Sequence, residues 1–280
     1  MPSTRTNWHE AVTCAIQIDL RDYSHLLEYH EEYFLDSNNN YIDLLVIKKN
    51  SEFQIPKHIA SIFQSYNLFE TKGLGSSLTT DAYYKTNGHA CYYINTYPQT
   101  NGLTRKNITL TFPTFHYPRN LLNHLTKECN KTIDNPFPGV YYISEEMFLT
   151  QILVIKELSP EDSMYLYCLT KNLTNLNLIN NLTEDYQLHK SDPLYASYLN
   201  QFLLSRTKGE PLMVCEGIFK LYGTSSEEIM EQGIQKAQQI YLPQIEQLTS
   251  EKESLNLQNS LLVSEISKLK QLLAQNNIAY

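Results

Sequence analysis

The chain has 280 residues, 42% of them hydrophobic and 11% aromatic, enough for a substantial core and too much apolar matter for wholesale disorder. Its net charge of −8 is not the footprint of a uniformly basic nucleic-acid binder, and the five cysteines at 14, 91, 129, 168 and 215 form no CxxC pair, which argues against a zinc cluster or disulfide framework. No run of eighteen apolar residues occurs and no apolar stretch of signal-peptide length precedes the first acids, so a soluble, cytoplasmic chain with no membrane partner is expected.

In chain order, "NWHEAVTCAIQIDLRDY" sets Trp8, Val12, Ala15, Ile16 and Leu20 at helical spacing behind Asn7 as a cap. "LLEYHEEYFL" and "YIDLLVIKK" flank "DSNNN", a hairpin signal. "IPKHIASIFQSYNLF" predicts a short helix opening at Pro56 and leading into a third strand, "NLFETK". "TTDAYYKTNGHACYYIN" reads as a second long helix, "NITLTFPTF" as a strand and "RNLLNHLTKE" as a helix. "GVYYI" and "LTQILVIKEL" read as strands, preceded by a loop marked by Pro136, Pro138 and Gly139. The order is that of a mixed α/β domain over residues 1–158.

From 159 to 242 the pattern turns helical. Ser159 with Pro160, and Ser191 and Asp192 with Pro193, each read as a helix opening. From 243 to 280 a heptad appears, with Leu248, Leu255, Leu262 and Leu269 at d and Ile245, Lys252, Asn259, Ile266 and Leu273 at a. A polar residue at a favours a two-stranded parallel arrangement, so a coiled-coil tail and a homodimer are expected, the alternative being one amphipathic helix folded back on the body.

Within the apolar run at residues 41–49 sits a carboxylate, Asp43. A charge in such a strand needs a partner, a hydrogen bond or a cation. The next strand supplies Glu70 and Lys72, two residues apart and so on one face. Taken alone, this D…ExK set reads as a salt bridge between Lys72 and one acid. As a unit, two carboxylates and an ammonium suit one hard divalent cation, magnesium or manganese, held by Asp43 and Glu70 with Lys72 near the attacking water. Glu10 on the first helix is a candidate further ligand or water contact, or an acid complementing the helix dipole.

Charge is unevenly spread: two Lys or Arg against seven Asp or Glu from Met1 to Asp36, and ten against four from Lys48 to Lys131. The basic middle suits a polyanion or a mixed-charge solvated surface. The eight histidines form no metal motif and read as ordinary surface or partly buried residues. Tyr83, Tyr84, Tyr92 and Tyr93 are placed to stack on bases or to edge the core.

The succession "WHEA", "YIDLLVIKK", "IASIFQSYNLFETK", "LTTDAYYKTNGHACYYI" and "ITLTFPTFHYPRNLLNHL" resembles the PD-(D/E)XK nuclease superfamily, and within it the recombination-promoting nucleases also described as YhgA-like transposases. The resemblance covers about Trp8 to Leu158. It implies a restriction-endonuclease-like α-β-β-β-α-β core, a metal-dependent endonuclease acting on DNA, Asp43 as the motif Asp, Glu70 and Lys72 as its (D/E)XK, and Glu10 as the first-helix acid. Asp81, Tyr84, Lys85 and Gly88 fall where that branch has D-x-(F/Y)-Y-K-x-x-G, so Lys85 would contact phosphate unless it is a solvated helical lysine. Two departures stand out: Ile42 precedes Asp43 where the motif has proline, and Gly73, Leu74 and Gly75 follow Lys72 where Ser-Pro is common. A catalytically silent module that binds DNA or protein and assembles through its tail is the alternative.

Overall fold

The run Tyr41–Lys48 is buried almost throughout and forms the second strand of a seven-stranded mixed sheet, a position that suits its nearly unbroken aliphatic content. The computed structural model describes residues 8–35, 40–50, 52–73, 75–96, 103–170 and 175–206, together with Lys252, Gln258, Asn259, Leu262 and Ile266. The chain divides into two units, Met1–Ile218 and Phe219–Tyr280. In the first, α1 (Trp8–Asp19) leads through β1 (Leu27–Phe34), β2 (Tyr41–Lys48) and β3 (Tyr66–Phe69) to α2 (Thr80–Thr96) and β4 (Ile108–Thr114). There follow α3 (Arg119–Lys127), β5 (Ile133–Phe137), β6 (Val140–Ile143), β7 (Leu149–Val154), α4 (Met164–Cys168), α5 (Leu176–His189) and α6 (Pro193–Arg206).

The fold is therefore α/β. The sheet order is β1-β2-β3-β4-β7-β6-β5. Strands β1 to β3 are antiparallel, β3, β4 and β7 are parallel, and β6 and β5 continue from β7 antiparallel. Each parallel pairing needs a long crossover, which α2 supplies between β3 and β4. Tyr83, Ala90 and Tyr93 of α2, with Leu121, Leu122 and Leu125 of α3, join Leu45, Leu68, Leu110, Phe112 and Ile152 in one core cluster. Tyr83 and Tyr93 thus serve the core, while Tyr84 and Tyr92 stay exposed.

Three sequence expectations change. The loop read around Pro136 contains a strand, β5, at the sheet edge. An edge strand tolerates proline because one row of N–H groups has no ladder to feed, and the register shifts between Asp134 and Phe137. The helix read from Pro56 contracts to a single turn of 3-10 helix, His58–Ala60. The helix read from Ser159 begins at Met164, and its first N–H groups are taken from a distance: Asp19 at the end of α1 accepts from Tyr165 N and Leu166 N, both at 2.9 Å.

That bond pair and others hold α4 to α6 on α1, all within the first unit. Arg21, just past α1, binds the Asp185 carboxylate of α5 through two nitrogens. Asp192 caps α6 through Leu194 N at 2.9 Å, as the sequence predicts. Asn7 lies outside the described residues, as does the tail over 243–280 apart from its five described positions. Those five are helical, and Leu262 and Ile266, heptad d and a, are exposed in the single chain. Among the described residues no helix is long and apolar enough to cross a membrane.

Burial pushes the Asp19 carboxyl up to about 7, against the two N–H groups that favour its charge. Between the ordinary aspartate value and about 7 the folded chain binds the extra proton, so stability falls as pH rises through that window. Urea unfolding at pH 5 and pH 8 should show this fall in the native chain and a shallower one in Asp19→Asn. At pH 5 the variant should also be less stable by about 1–3 kcal/mol, because its amide NH2 faces a backbone donor.

Candidate functional site

The antiparallel ladder of β2 and β3 pairs Leu44 with Phe69 and ends there. Its alternation, with Lys48 N bonded to Ser65 O, would next send Thr71 N to the Ile42 carbonyl. Instead Thr71 N donates to Asp43 Oδ2 at 2.7 Å. The segment beyond β3 still follows β4, with Glu70 N on Thr111 O at 3.1 Å and Lys72 N on Pro113 O at 3.0 Å. The two strands therefore part at Asp43, and its carboxylate fills the place of a backbone acceptor.

The other neighbour yields at the same level. Glu31 pairs with Leu44 and Tyr33 with Ile42, which sets Glu32 opposite Asp43, and Glu32 adopts a left-handed backbone with φ 48°. A non-glycine residue there is strained by about 1–2 kcal/mol.

The side chain of Asp43 is only 4% exposed. His9 of α1 brings Nδ1 to 3.0 Å from Asp43 Oδ2, and that hydrogen bond holds the imidazole above its ordinary value despite partial desolvation. Lys72 Nζ donates to Glu70 Oε1 at 2.5 Å. Burial and the Asp43 charge push the Glu70 carboxyl above its usual range, opposed by Lys72 and by Lys85. Burial and the charges of Asp43, Glu32 and Glu70 likewise raise the Tyr41 phenol.

Asp43, Glu70 and Lys72 thus stand within one electrostatic group at the end of β2 and β3, with Lys85, exposed on α2, within its field. Glu10 is directed elsewhere: its carboxylate accepts from Ser197 Oγ and, at 2.7 Å, from Gln201 Nε2, both on α6. The first-helix residue that meets Asp43 is its neighbour His9, which by sequence reads as an ordinary surface or partly buried histidine. The usable signal was the unpaired strand carboxylate one residue's choice away from "HE". Glu32 carried no signal at all, since a left-handed glutamate in a strand is invisible to composition.

The loop after Lys72 has a steric reason for its glycine. A Cβ on Gly73 would lie 2.9 Å from Trp8 Cδ1, and the indole also packs edge-on against Phe115, ring centroids 4.9 Å apart. Trp8, His9, Gly73 and the end of β4 therefore interlock.

For a cation the group offers two carboxylates, hard oxygen donors, with Glu70 raised by burial first and by the Asp43 charge second. Among the described residues no set of three His, Cys, Asp or Glu side chains is placed to hold a metal ion. Two carboxylates completed by water or substrate oxygens suffice for magnesium. Comparison of the chain with protein-family models, with curated proteins and with solved structures gives no match.

Trp8 is the single tryptophan of the chain, so its fluorescence reports on this site. Gly73→Ala should shift its emission and lower stability by about 1–3 kcal/mol through overpacking. Gly75→Ala, where an added Cβ meets nothing within 4 Å, should leave both unchanged within about 0.5 kcal/mol. Equal emission shifts in the two variants would contradict the interlock.

Proposed function

We propose that the chain is a metal-dependent endodeoxyribonuclease of restriction-endonuclease-like architecture. The observation that carries this reading is the parting of β2 and β3 at Asp43, which leaves a buried carboxylate beside the Glu70–Lys72 pair. The element order α1-β1-β2-β3-α2-β4, with Asp43 on β2, Glu70 and Lys72 running out of β3, and Lys85 on α2, supports it. So does the resemblance of these same segments to PD-(D/E)XK nucleases.

Asp43 and Glu70 would hold magnesium or manganese, which when bound lowers the pKa of a water and offsets phosphate charge. The chain's own residues do the rest. Lys72, released from Glu70, orients the attacking water and stabilises the charge that develops on the phosphate. Thr71 N and His9 fix the Asp43 carboxylate. Lys85 meets a flanking phosphate. A dimer through residues 243–280 would present two such sites to the two strands of a duplex.

A second reading has its own observation. His9 and Lys72 already neutralise both carboxylates, a closed set of ion pairs that stands without metal. It corresponds to a silent module that binds DNA or a protein partner.

Purified chain incubated with supercoiled plasmid should nick or linearise it with Mg²⁺ or Mn²⁺ and not with EDTA. Asp43→Ala and Lys72→Ala should each lose at least about a hundredfold in rate, with Trp8 emission and thermal midpoint showing that the fold survives. Cleavage at native rates by either variant would refute the site, and salt-sensitive binding without any cleavage would establish the silent module. Light scattering should give a dimer mass for the full chain and a monomer mass after truncation at Pro243. Monomer masses for both would end the coiled-coil reading.

A further inference from the structure

Away from Asp43, at the end of α3, four side chains of complementary chemistry meet. Cys129 Sγ lies 3.6 Å from His124 Nε2, and His124 Nδ1 lies 2.9 Å from Glu128 Oε2. The Tyr84 hydroxyl, from α2, stands 3.0 Å from the same Nε2 and 3.5 Å from the same sulfur. This is the geometry of a nucleophile, a base and a carboxylate that orients the base. With Nδ1–H donated to Glu128, Nε2 carries its lone pair toward the thiol and the phenol.

The backbone fixes the thiol there. Cys129 N and Glu128 N both donate to the His124 carbonyl, at 3.2 and 2.9 Å, and Lys131 N closes on Leu125 O at 2.9 Å. Asn130 takes the left-handed conformation, φ 53°, that such a helix ending requires. Cys129 is partly exposed, whereas Cys14 and Cys168 are buried. Cys91 is exposed, but its sulfur faces the Met147 thioether at 3.7 Å. Of the two accessible thiols among the described residues, Cys129 has an imidazole beside it and Cys91 has a thioether. The Tyr84 phenol is held up to about 12, chiefly by its bond with Cys129, and so stays a neutral hydroxyl able to donate to sulfur. Glu146 is paired with Lys131, while Glu128, bonded to His124, sets a carboxylate beside the thiol that disfavours anionic disulfides.

We propose that Cys129 is a nucleophilic thiol, activated by His124, that takes up small uncharged disulfides by thiol–disulfide exchange. The Cys129 thiol gives its proton to His124 Nε2, and the thiolate attacks one sulfur of the disulfide. The new S–S bond forms as the old one breaks, and the leaving thiolate takes the proton back from the imidazolium. The products are a mixed disulfide on Cys129 and one free small thiol, so atoms and electrons balance without another oxidant. The added group sits against Tyr84, on the helix that also carries Lys85.

The test incubates the full chain with 2-hydroxyethyl disulfide at pH 7 and reads each cysteine-containing peptide by mass spectrometry over time. Cys129 should be modified at least about tenfold faster than Cys91. His124→Asn should bring Cys129 down to the Cys91 rate and leave Cys91 unchanged. Equal rates at the two cysteines in the native chain, or a Cys129 rate untouched by His124→Asn, overturn the proposal. Should that variant fail to fold, Glu128→Gln serves, since that side chain is 70% exposed: a slower Cys129 supports the proposal and an unchanged one overturns it.

Discussion

A carboxylate that is almost wholly buried in the second strand of a sheet sets the terms for everything around it. Removing such a charge from water costs several kcal/mol unless donors replace the lost solvent. At Asp43 the replacement comes from the backbone as well as from side chains: Thr71 N leaves the ladder to bind the carboxylate, and His9 closes on it from the first turn of α1. The two strands beside β2 both depart from regular geometry at this level, one by splaying and one by the left-handed turn at Glu32. A ladder that is interrupted twice at one residue forgoes hydrogen bonds and accepts strain. Those costs fall at the open end of the sheet, where the parallel strands β3 and β4 also finish, the place where α/β folds characteristically receive ligands.

Electrostatics around that carboxylate are balanced rather than simply paired. Glu70 is neutralised by Lys72, yet its proton is still held more tightly than usual because burial and Asp43 outweigh the ammonium. Burial and the neighbouring carboxylate make Glu70 hold a proton more readily than a free glutamate does. His9 responds in the same way from the other side, since its own proton is held more firmly by Asp43.

Helix α1 connects this group to the rest of the fold. Its first turn carries Trp8 and His9 to the sheet end, while Glu10, one residue on, turns to Ser197 and Gln201 of α6. Its last residue, Asp19, receives α4, and Arg21 beyond it grips Asp185 of α5. The helices after residue 158 are thus bonded to the element that positions His9. Successive helical residues point about 100° apart, so a single short helix can serve the site with one face and its helical partners with the next.

That same angular spacing explains which parts of the molecule could be read from the chain and which could not. The hairpin, the order of the elements as far as β4, and the proximity of Asp43 to Glu70 and Lys72 were legible because they follow from local patterns: an apolar run, turn residues, an i, i+2 pair on one strand. His9 was not, because "HE" on a helix offers two polar residues pointing in different directions, and only the packing of α6 decides that Glu10 is taken and His9 is left for Asp43. The start of α4 is not the one that Ser159 suggests, for a related reason: the N–H groups of a helix start donate to any carboxylate that tertiary structure delivers, here from 146 residues away. Pro136 misled because its meaning depends on whether the strand lies at an edge, which no single strand's sequence states. The constellation of Tyr84, His124, Glu128 and Cys129 was half legible, since "HLTKEC" places the acid one helical turn after the imidazole and the thiol one residue beyond, while the phenol arrives from 40 residues earlier. Local chemistry is written in the sequence, and selection among adjacent candidates is made by the packing of distant elements.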